Sequence, residues 1–293
     1  MNTQLGNDVL YGQAHTLRRD GYEVRYWDGG IRDGPALVFS HGAGLDHRLF
    51  EPQVRRFASE YRVVTWDAPG HGLSKPLPRP YRIPAVADDL LAVLDEIRVG
   101  QAVFIGLSMG GTIVQEVLFR HPERVLALIA MDTGPITVKA TALETLQALP
   151  TVLTMMLYPW DALRRAVVRS CSPQRPETGA YIESALAMLS GKADFNATMT
   201  GTVACVHPDP AYRLPKPTLL LLGDHDRLLA IPNAMRAWAA RDTGCRLVMV
   251  RDAGHLSNYD QPDQVNNLIA GFIGATLPAR QPEAPEGKVP ASV

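Results

Sequence analysis

The sequence predicts an α/β protein with a mostly parallel central sheet, flanked by helices and covered by a helical cap. Three observations lead there. Short β-rich runs alternate with segments of helical periodicity, several of those runs are apolar throughout, and the alternation lapses between residues 134 and 212. Strand alternating with helix means βαβ units. A strand covered by helices on both faces has no polar side, so its sequence does not alternate.

Strands are expected at 23–27, 36–40, 62–66, 102–106, 125–131, 218–223 and 246–250, with ALVFS and TLLLLG as the fully apolar examples. Asp28-Gly29-Gly30 reads as a turn that joins the first of these in a hairpin with 36–40. Helical spacing covers 86–97, 111–120, 234–241 and 264–273. Between the two halves, helices are expected at 142–149, 152–158, 162–169 and 181–189, with no strand among them. Residues 1–133 and 213–277 are therefore expected to form the core, and 134–212 a cap inserted between core strands. Such a cap would lie over the carboxyl ends of the strands, where open α/β sheets bind ligands. The segment 278–293 is rich in Pro, Ala and Glu without an apolar period, and disorder is expected there.

The chain has 293 residues, enough to bury a sizeable core. A formal net charge of -1 gives no basic face, which excludes a nucleic-acid partner. Cys171, Cys205 and Cys245 are odd in number and far apart, with no CxxC pair. That spacing argues against a disulfide framework or a zinc site and fits a reducing compartment. MNTQLGNDVLYGQAH lacks the cationic start and apolar run of a secretory leader. No apolar run approaches the roughly 18–20 residues of a membrane helix. A cytoplasmic protein without a membrane partner is expected. The sequence assigns no oligomeric state.

Gly106-Leu107-Ser108-Met109-Gly110 fits G-x-S-x-G, follows a strand and opens a helix. A tight strand-to-helix turn would strain Ser108 and expose its hydroxyl at the sheet edge, above a helix N-terminus that favours negative charge. A serine hydroxyl is a weak nucleophile until a base takes its proton. His255, in Asp252-Ala253-Gly254-His255, follows the last strand and occupies the loop where that base belongs. The base needs an orienting carboxylate. Asp226, just after strand 218–223, suits chain order and loop placement, and Asp132, after strand 125–131, is the alternative. Asp224 falls at the strand end and suits a turn. His41-Gly42-Ala43-Gly44 also follows a strand, and the backbone N–H groups of Ala43 and Met109 are the candidate oxyanion donors. This loop lacks the spacing and the lysine of the phosphate-cradling loops. Asp67 to Ser74, DAPGHGLS, reads as a structural turn held by Asp67 and Ser74 side chains. His71 and His121 read as structural, and His207 carries no assigned role.

HGAG, DAPGHGLS, GLSMGG, GDHD and AGHLSNYDQP, in this order, resemble the α/β-hydrolase family from about residue 23 to 273. More narrowly, GLSMGGTIVQ, HPERV and GHLSNYDQP look like the 3-oxoadipate enol-lactonase and esterase branch. The resemblance implies a serine hydrolase with no metal or organic cofactor, carrying the nucleophile at Ser108, the acid at Asp226 and the base at His255. The chain departs from that branch at Ala68-Pro69, where an arginine-containing turn is commoner, and in its cap.

These residues together predict two-step acyl transfer on a small-molecule ester or lactone. The cap residues Met155, Met156, Leu157, Trp160, Met188 and Met199 suggest a largely apolar pocket, with Met155, Trp160 and Met188 as candidate lining side chains. A C–C bond hydrolase would use the same triad. An epoxide hydrolase or dehalogenase would need Asp at the position of Ser108. A ligand-binding protein could keep the fold without turnover.

Overall fold

In the computed structural model, which describes residues 10–139 and 141–277, eight strands form one sheet. They are β1 (Gln13–Arg19), β2 (Tyr22–Gly30), β3 (Ala36–Ser40), β4 (Arg62–Trp66), β5 (Ala102–Leu107), β6 (Val125–Met131), β7 (Thr218–Gly223) and β8 (Cys245–Val250). Their spatial order is β1-β2-β4-β3-β5-β6-β7-β8. β3 to β8 run parallel to one another, whereas β2 is antiparallel to both β1 and β4. The expected tail at 278–293 lies outside the described residues.

The helices are α1 (Glu51–Phe57), α2 (Ile83–Glu96), α3 (Met109–Arg120), α4 (Ala142–Leu157), α5 (Trp160–Cys171), α6 (Pro176–Leu186), α7 (Lys192–Ala204), α8 (Ile231–Arg241), α9 (Ser257–Asp260) and α10 (Pro262–Thr276). Successive strand residues point to opposite faces of the sheet, and the core divides accordingly. Leu37, Phe39, Val103 and Ile105 pack with Val54 and Phe57 of α1 and with Val265 and Ile269 of α10. Val38, Val64 and Phe104 pack on the other side with Leu90 of α2 and Val114 and Val117 of α3. Both faces being covered, β3, β5 and β7 are buried along their whole length, as their uninterrupted apolar sequences require. Full burial of each such aliphatic side chain contributes about 1.5–3 kcal/mol.

The expected hairpin between β2 and β3 does not form. β2 turns back through Asp20-Gly21 to pair with β1, and its far end is held to β4. Asp28, read as a turn residue, accepts two hydrogen bonds of 2.8 Å from Arg62 of β4, which makes it part of the strand. β1 escaped detection because QAHTLRR is an edge strand with half-exposed, largely polar side chains.

Four helices, α4 to α7, lie between β6 and β7. α4 is one helix where two were expected, and it continues through Pro150 despite the missing N–H donor. α7 was not anticipated: KADFNATMTGTVA carries three Thr with an Asn and a Gly, all poor helix formers. Gly201 is required there, because a β-carbon would sit 2.4 Å from the Tyr81 carbonyl oxygen. Leu163, Ile182, Leu186 and Phe195 of these helices join the same apolar cluster as α1 and α10. Among the described residues, no helix is long and apolar enough to cross a membrane.

Candidate active site

The parallel strands end at one edge, and Ala43, Ser108 and His255 line the cavity there, with Asp226 behind His255. Ser108 links β5 to α3 with φ 54° and ψ −118°, a conformation that costs a non-glycine residue about 1–3 kcal/mol. The surroundings enforce it. Ser108 N–H donates to the Met131 carbonyl at 2.9 Å, and its own carbonyl accepts from Thr112 N–H at 3.0 Å in the first turn of α3. The flanking glycines permit the turn: a β-carbon at Gly106 would lie 2.4 Å from the Gly110 carbonyl oxygen, and one at Gly110 would lie 1.9 Å from that of Ser40.

His255 follows β8 and is buried, with its backbone N–H donating to the Cys171 carbonyl at 2.9 Å. Its Nδ1 lies 3.0 Å from Asp226 Oδ2. Asp226 follows β7 and is fully buried, and its Oδ1 accepts from Leu228 N–H at 2.8 Å. Burial works to lower the basicity of His255. The Asp226 charge and hydrogen bond outweigh it, so the imidazole pKa is raised above its ordinary value. With Nδ1–H engaged by the carboxylate, the ring's lone pair is on Nε2. Ser108 and His255 line the same cavity.

Asp132, the other candidate carboxylate, is committed elsewhere. Its Oδ1 accepts from Gly223 N–H at 2.8 Å, and its Oδ2 accepts from the Ser257 hydroxyl. Burial first, and then the Asp226 charge, push its pKa up to about 8. Two buried carboxyls so close cannot both ionise cheaply. Asp132 joins the start of the loop carrying Asp226 to the residue two places after His255, and so ties the two loops together.

Ala43 lines the cavity in the turn after β3. The turn is fixed from beneath by buried His41, whose Nδ1 donates to the Gly42 carbonyl at 2.8 Å while Nε2 accepts from Ala68 N–H at 2.9 Å. Burial lowers the His41 pKa and keeps the ring neutral, as an acceptor nitrogen requires. Met109 is the first residue of α3, with a buried side chain. The DAPGHGLS turn is held by Asp67 Oδ2, which accepts from Leu73 N–H at 2.7 Å, and by the Ser74 hydroxyl, which donates to the Asp67 carbonyl at 2.6 Å. The sequence reading missed a partner: His47, whose backbone N–H and Nδ1 each lie 2.8 Å from Asp67 Oδ1.

The cavity wall is almost wholly apolar. Met155 and Met199 line it, together with Leu163, Val167, Ile182, Phe195 and Leu228. Thr151, Thr154, Ser170 and Cys171 add small polar groups. Trp160 and Met188 do not line it. Trp160 packs behind Phe195, with ring centroids 5.8 Å apart, and the Met188 sulfur lies 3.5 Å from the Arg48 guanidinium. Met156 and Leu157 are exposed. Composition alone does not show which face of a helix turns inward. The spacing of Leu163, Ala166, Val167 and Ser170 along α5 does carry that signal.

The alpha/beta hydrolase family profile matches residues 37–268. The chain is 27% identical over 258 residues to 3-oxoadipate enol-lactonase 2 of Acinetobacter baylyi, covering 88% of this chain and 96% of that protein. It is 30% identical over 263 residues to the pimeloyl-[acyl-carrier protein] methyl ester esterase of Stenotrophomonas maltophilia, covering 84% and 95%. The crystal structure of the enol-lactonase from Burkholderia xenovorans superposes with a TM-score of 0.76 at 26% identity, covering 89% of this chain and all of that one. With the profile spanning most of its length, from β3 into α10, the chain belongs to the alpha/beta hydrolase family.

Proposed function

We propose that this protein cleaves a carboxylic ester or lactone through an acyl-enzyme, with Ser108 as nucleophile, His255 as base and Asp226 as its orienting acid. The observation that carries the reading is the 3.0 Å contact between His255 Nδ1 and Asp226 Oδ2, beside the strained Ser108 in one cavity. Ser108 Oγ attacks the carbonyl carbon as His255 Nε2 takes its proton. The backbone N–H groups of Ala43 and Met109 receive the oxyanion, each donor of this kind being worth about 3–4 kcal/mol in the transition state. His255 then protonates the leaving alkoxide. In the second step it activates water, which releases the acid and restores Ser108.

Residues 1–133 and 213–277 would act as the catalytic core and 134–212 as a cap over the site. Among the described residues, no titratable side chain other than His255 and the buried Cys171 lines the cavity, which favours an uncharged, largely apolar substrate. The relatives named as enol-lactonase and methyl ester esterase support the same bond types. Turnover of short-chain nitrophenyl esters by the native protein and by Ser108→Ala tests the reading. Activity should fall to background in the variant, and efficient turnover by Ser108→Ala would reject Ser108 as nucleophile.

A further inference from the structure

His207, without a role in the cavity, belongs to a separate cluster on the far side of α3. It lies just past α7, where its backbone N–H donates to the Ile136 carbonyl at 2.7 Å. Its ring stacks on Phe119 of α3, with centroids 4.7 Å apart and planes 11° from parallel. Nε2 is 2.7 Å from Glu116 Oε2, and the Cys205 thiol reaches the same oxygen at 3.5 Å. One ligand atom from each of Glu116, Cys205 and His207 lies within 4.8 Å of the other two. Glu116 is fully buried. Its other oxygen, Oε1, is 3.0 Å from Arg120 Nε, yet neither atom finds a hydrogen-bond partner. A buried carboxylate is thus held with one oxygen facing a thiol and an imidazole.

From this geometry we infer that Glu116, Cys205 and His207 form a binding site for a borderline-soft divalent cation of the zinc type, separate from the Ser108 cavity. Thiolate, imidazole and carboxylate together match zinc, whereas calcium and magnesium require shells built of oxygen. Bonds of about 2.0–2.3 Å in a tetrahedron place ligand atoms about 3.3–3.6 Å apart. The Cys205–Glu116 separation of 3.5 Å already fits. The His207–Glu116 contact of 2.7 Å is bridged by a proton and would open by about 0.6 Å around a metal. Binding exchanges the cation for the Cys205 thiol proton and takes His207 as a neutral ring with its proton on Nδ1 and its Nε2 lone pair on the metal, with no change of oxidation state. A cleft of about 700 Å³, lined by Cys205 and His207 along with Tyr81 and Thr200, gives entry and room for water as the fourth ligand.

The absence of a CxxC pair hid this group in the sequence, where Glu116 lies 89 positions from Cys205 and 91 from His207. Its place also matters. Glu116 is on the helix that Ser108 begins, and Cys205 ends the helix that brings Phe195 and Met199 to the cavity. An ion here would tie those two helices together.

The test is titration of the chelator-stripped full chain with Co2+ alone, followed by displacement with Zn2+. The expected result is one equivalent bound, with tetrahedral d–d bands and a thiolate-to-cobalt charge-transfer band that excess Zn2+ bleaches. Cys205→Ser should abolish the charge-transfer band, and His207→Gln should weaken binding by more than about tenfold, since loss of even an outer partner of a metal ligand costs that much. Cys245→Ser should change nothing. Circular dichroism and a cooperative melt establish that each variant is folded. If Cys205→Ser does not fold, His207→Gln, at the half-exposed member of the cluster, decides the question. No charge-transfer band in the native chain, or binding undiminished in His207→Gln, overturns the inference and leaves a structural Glu116–His207 pair.

Discussion

His255 Nδ1 and Asp226 Oδ2 lie 3.0 Å apart in a setting from which both side chains are almost wholly excluded from water. Such a pair orients the imidazole and selects its tautomer, because an Nδ1–H held by a carboxylate leaves Nε2 as the acceptor. Asp226→Asn offers an amide where the carboxylate stood and can reverse that tautomer. Its kcat should fall about a thousandfold to ten-thousandfold with little change in fold, as measured by ester turnover and circular dichroism. A loss below tenfold would remove Asp226 from the mechanism.

The same pair sets the pH dependence. Burial opposes the imidazolium, but the Asp226 charge and hydrogen bond raise the His255 pKa overall. The neutral ring is the working base, so kcat/KM should be low in acid and rise to a plateau. The inflection should lie above the ordinary histidine value of about 6.5. In Asp226→Asn, whatever rate remains should inflect at lower pH, because burial then meets only the weaker opposition of Asp132 and Asp260. A native profile flat across this range would contradict the assignment of His255.

Asp132 should behave differently from Asp226 although both follow neighbouring strands. Folded, it keeps its proton up to about pH 8, whereas an unfolded aspartate releases its proton near about 3.9. The unfolded chain therefore binds fewer protons over that interval. The stability Asp132 contributes is complete below the lower value and is lost as pH rises through the higher one. Asp132→Asn can accept from Gly223 N–H and donate to the Ser257 hydroxyl, losing only the long 3.4 Å contact from Ser257 N–H. It should retain most activity and flatten the decline in urea midpoint between about pH 5 and 8. His255, also raised, would leave a decline of the same sign above the ordinary histidine range. A variant as inactive as Asp226→Asn would make Asp132 the functional acid.

The strain at Ser108 depends on its glycines. Gly110→Ala places a β-carbon 1.9 Å from the Ser40 carbonyl oxygen, backbone that cannot rotate away. Thermal unfolding should show a loss of about 3 kcal/mol or more, at the upper end of overpacking costs. Gly271→Ala, where no atom lies within 4 Å of the added carbon, should be neutral or stabilising.

Pocket shape rests on helices α5 and α7. Met199→Ala removes a thioether chain from the cavity wall. It should move preference towards bulkier acyl groups, improving the ratio of kcat/KM for a longer over a shorter ester by about tenfold, the scale of one or two methylenes. Trp160→Leu, one layer behind, should alter this ratio far less.

Legibility in the sequence followed the range of the forces involved. Ser108 and His255 could be read directly because each sits in a turn whose neighbours are dictated locally, glycines around one and a strand end before the other. Asp226 and Asp132 could not be separated with the same ease. Both end parallel strands paired side by side, and only the loop folds decide which carboxylate meets the imidazole and which meets Gly223 and Ser257. Trp160 and Met188 were misplaced in the pocket because hydrophobicity records burial and not the direction of burial. β1 and α7 were missed for different causes: β1 is a half-exposed edge strand without an apolar pattern, although its partner Tyr22–Gly30 follows directly, whereas the Thr-rich α7 packs against Tyr81, which is distant in sequence.

The most direct measurement is intact-mass and peptide-level identification of the residue modified by a fluorophosphonate. A single adduct on Ser108 is expected, abolished in Ser108→Ala and slowed by at least a hundredfold in His255→Ala. An adduct on any other residue, or labelling of Ser108 at an undiminished rate without the imidazole, would contradict it.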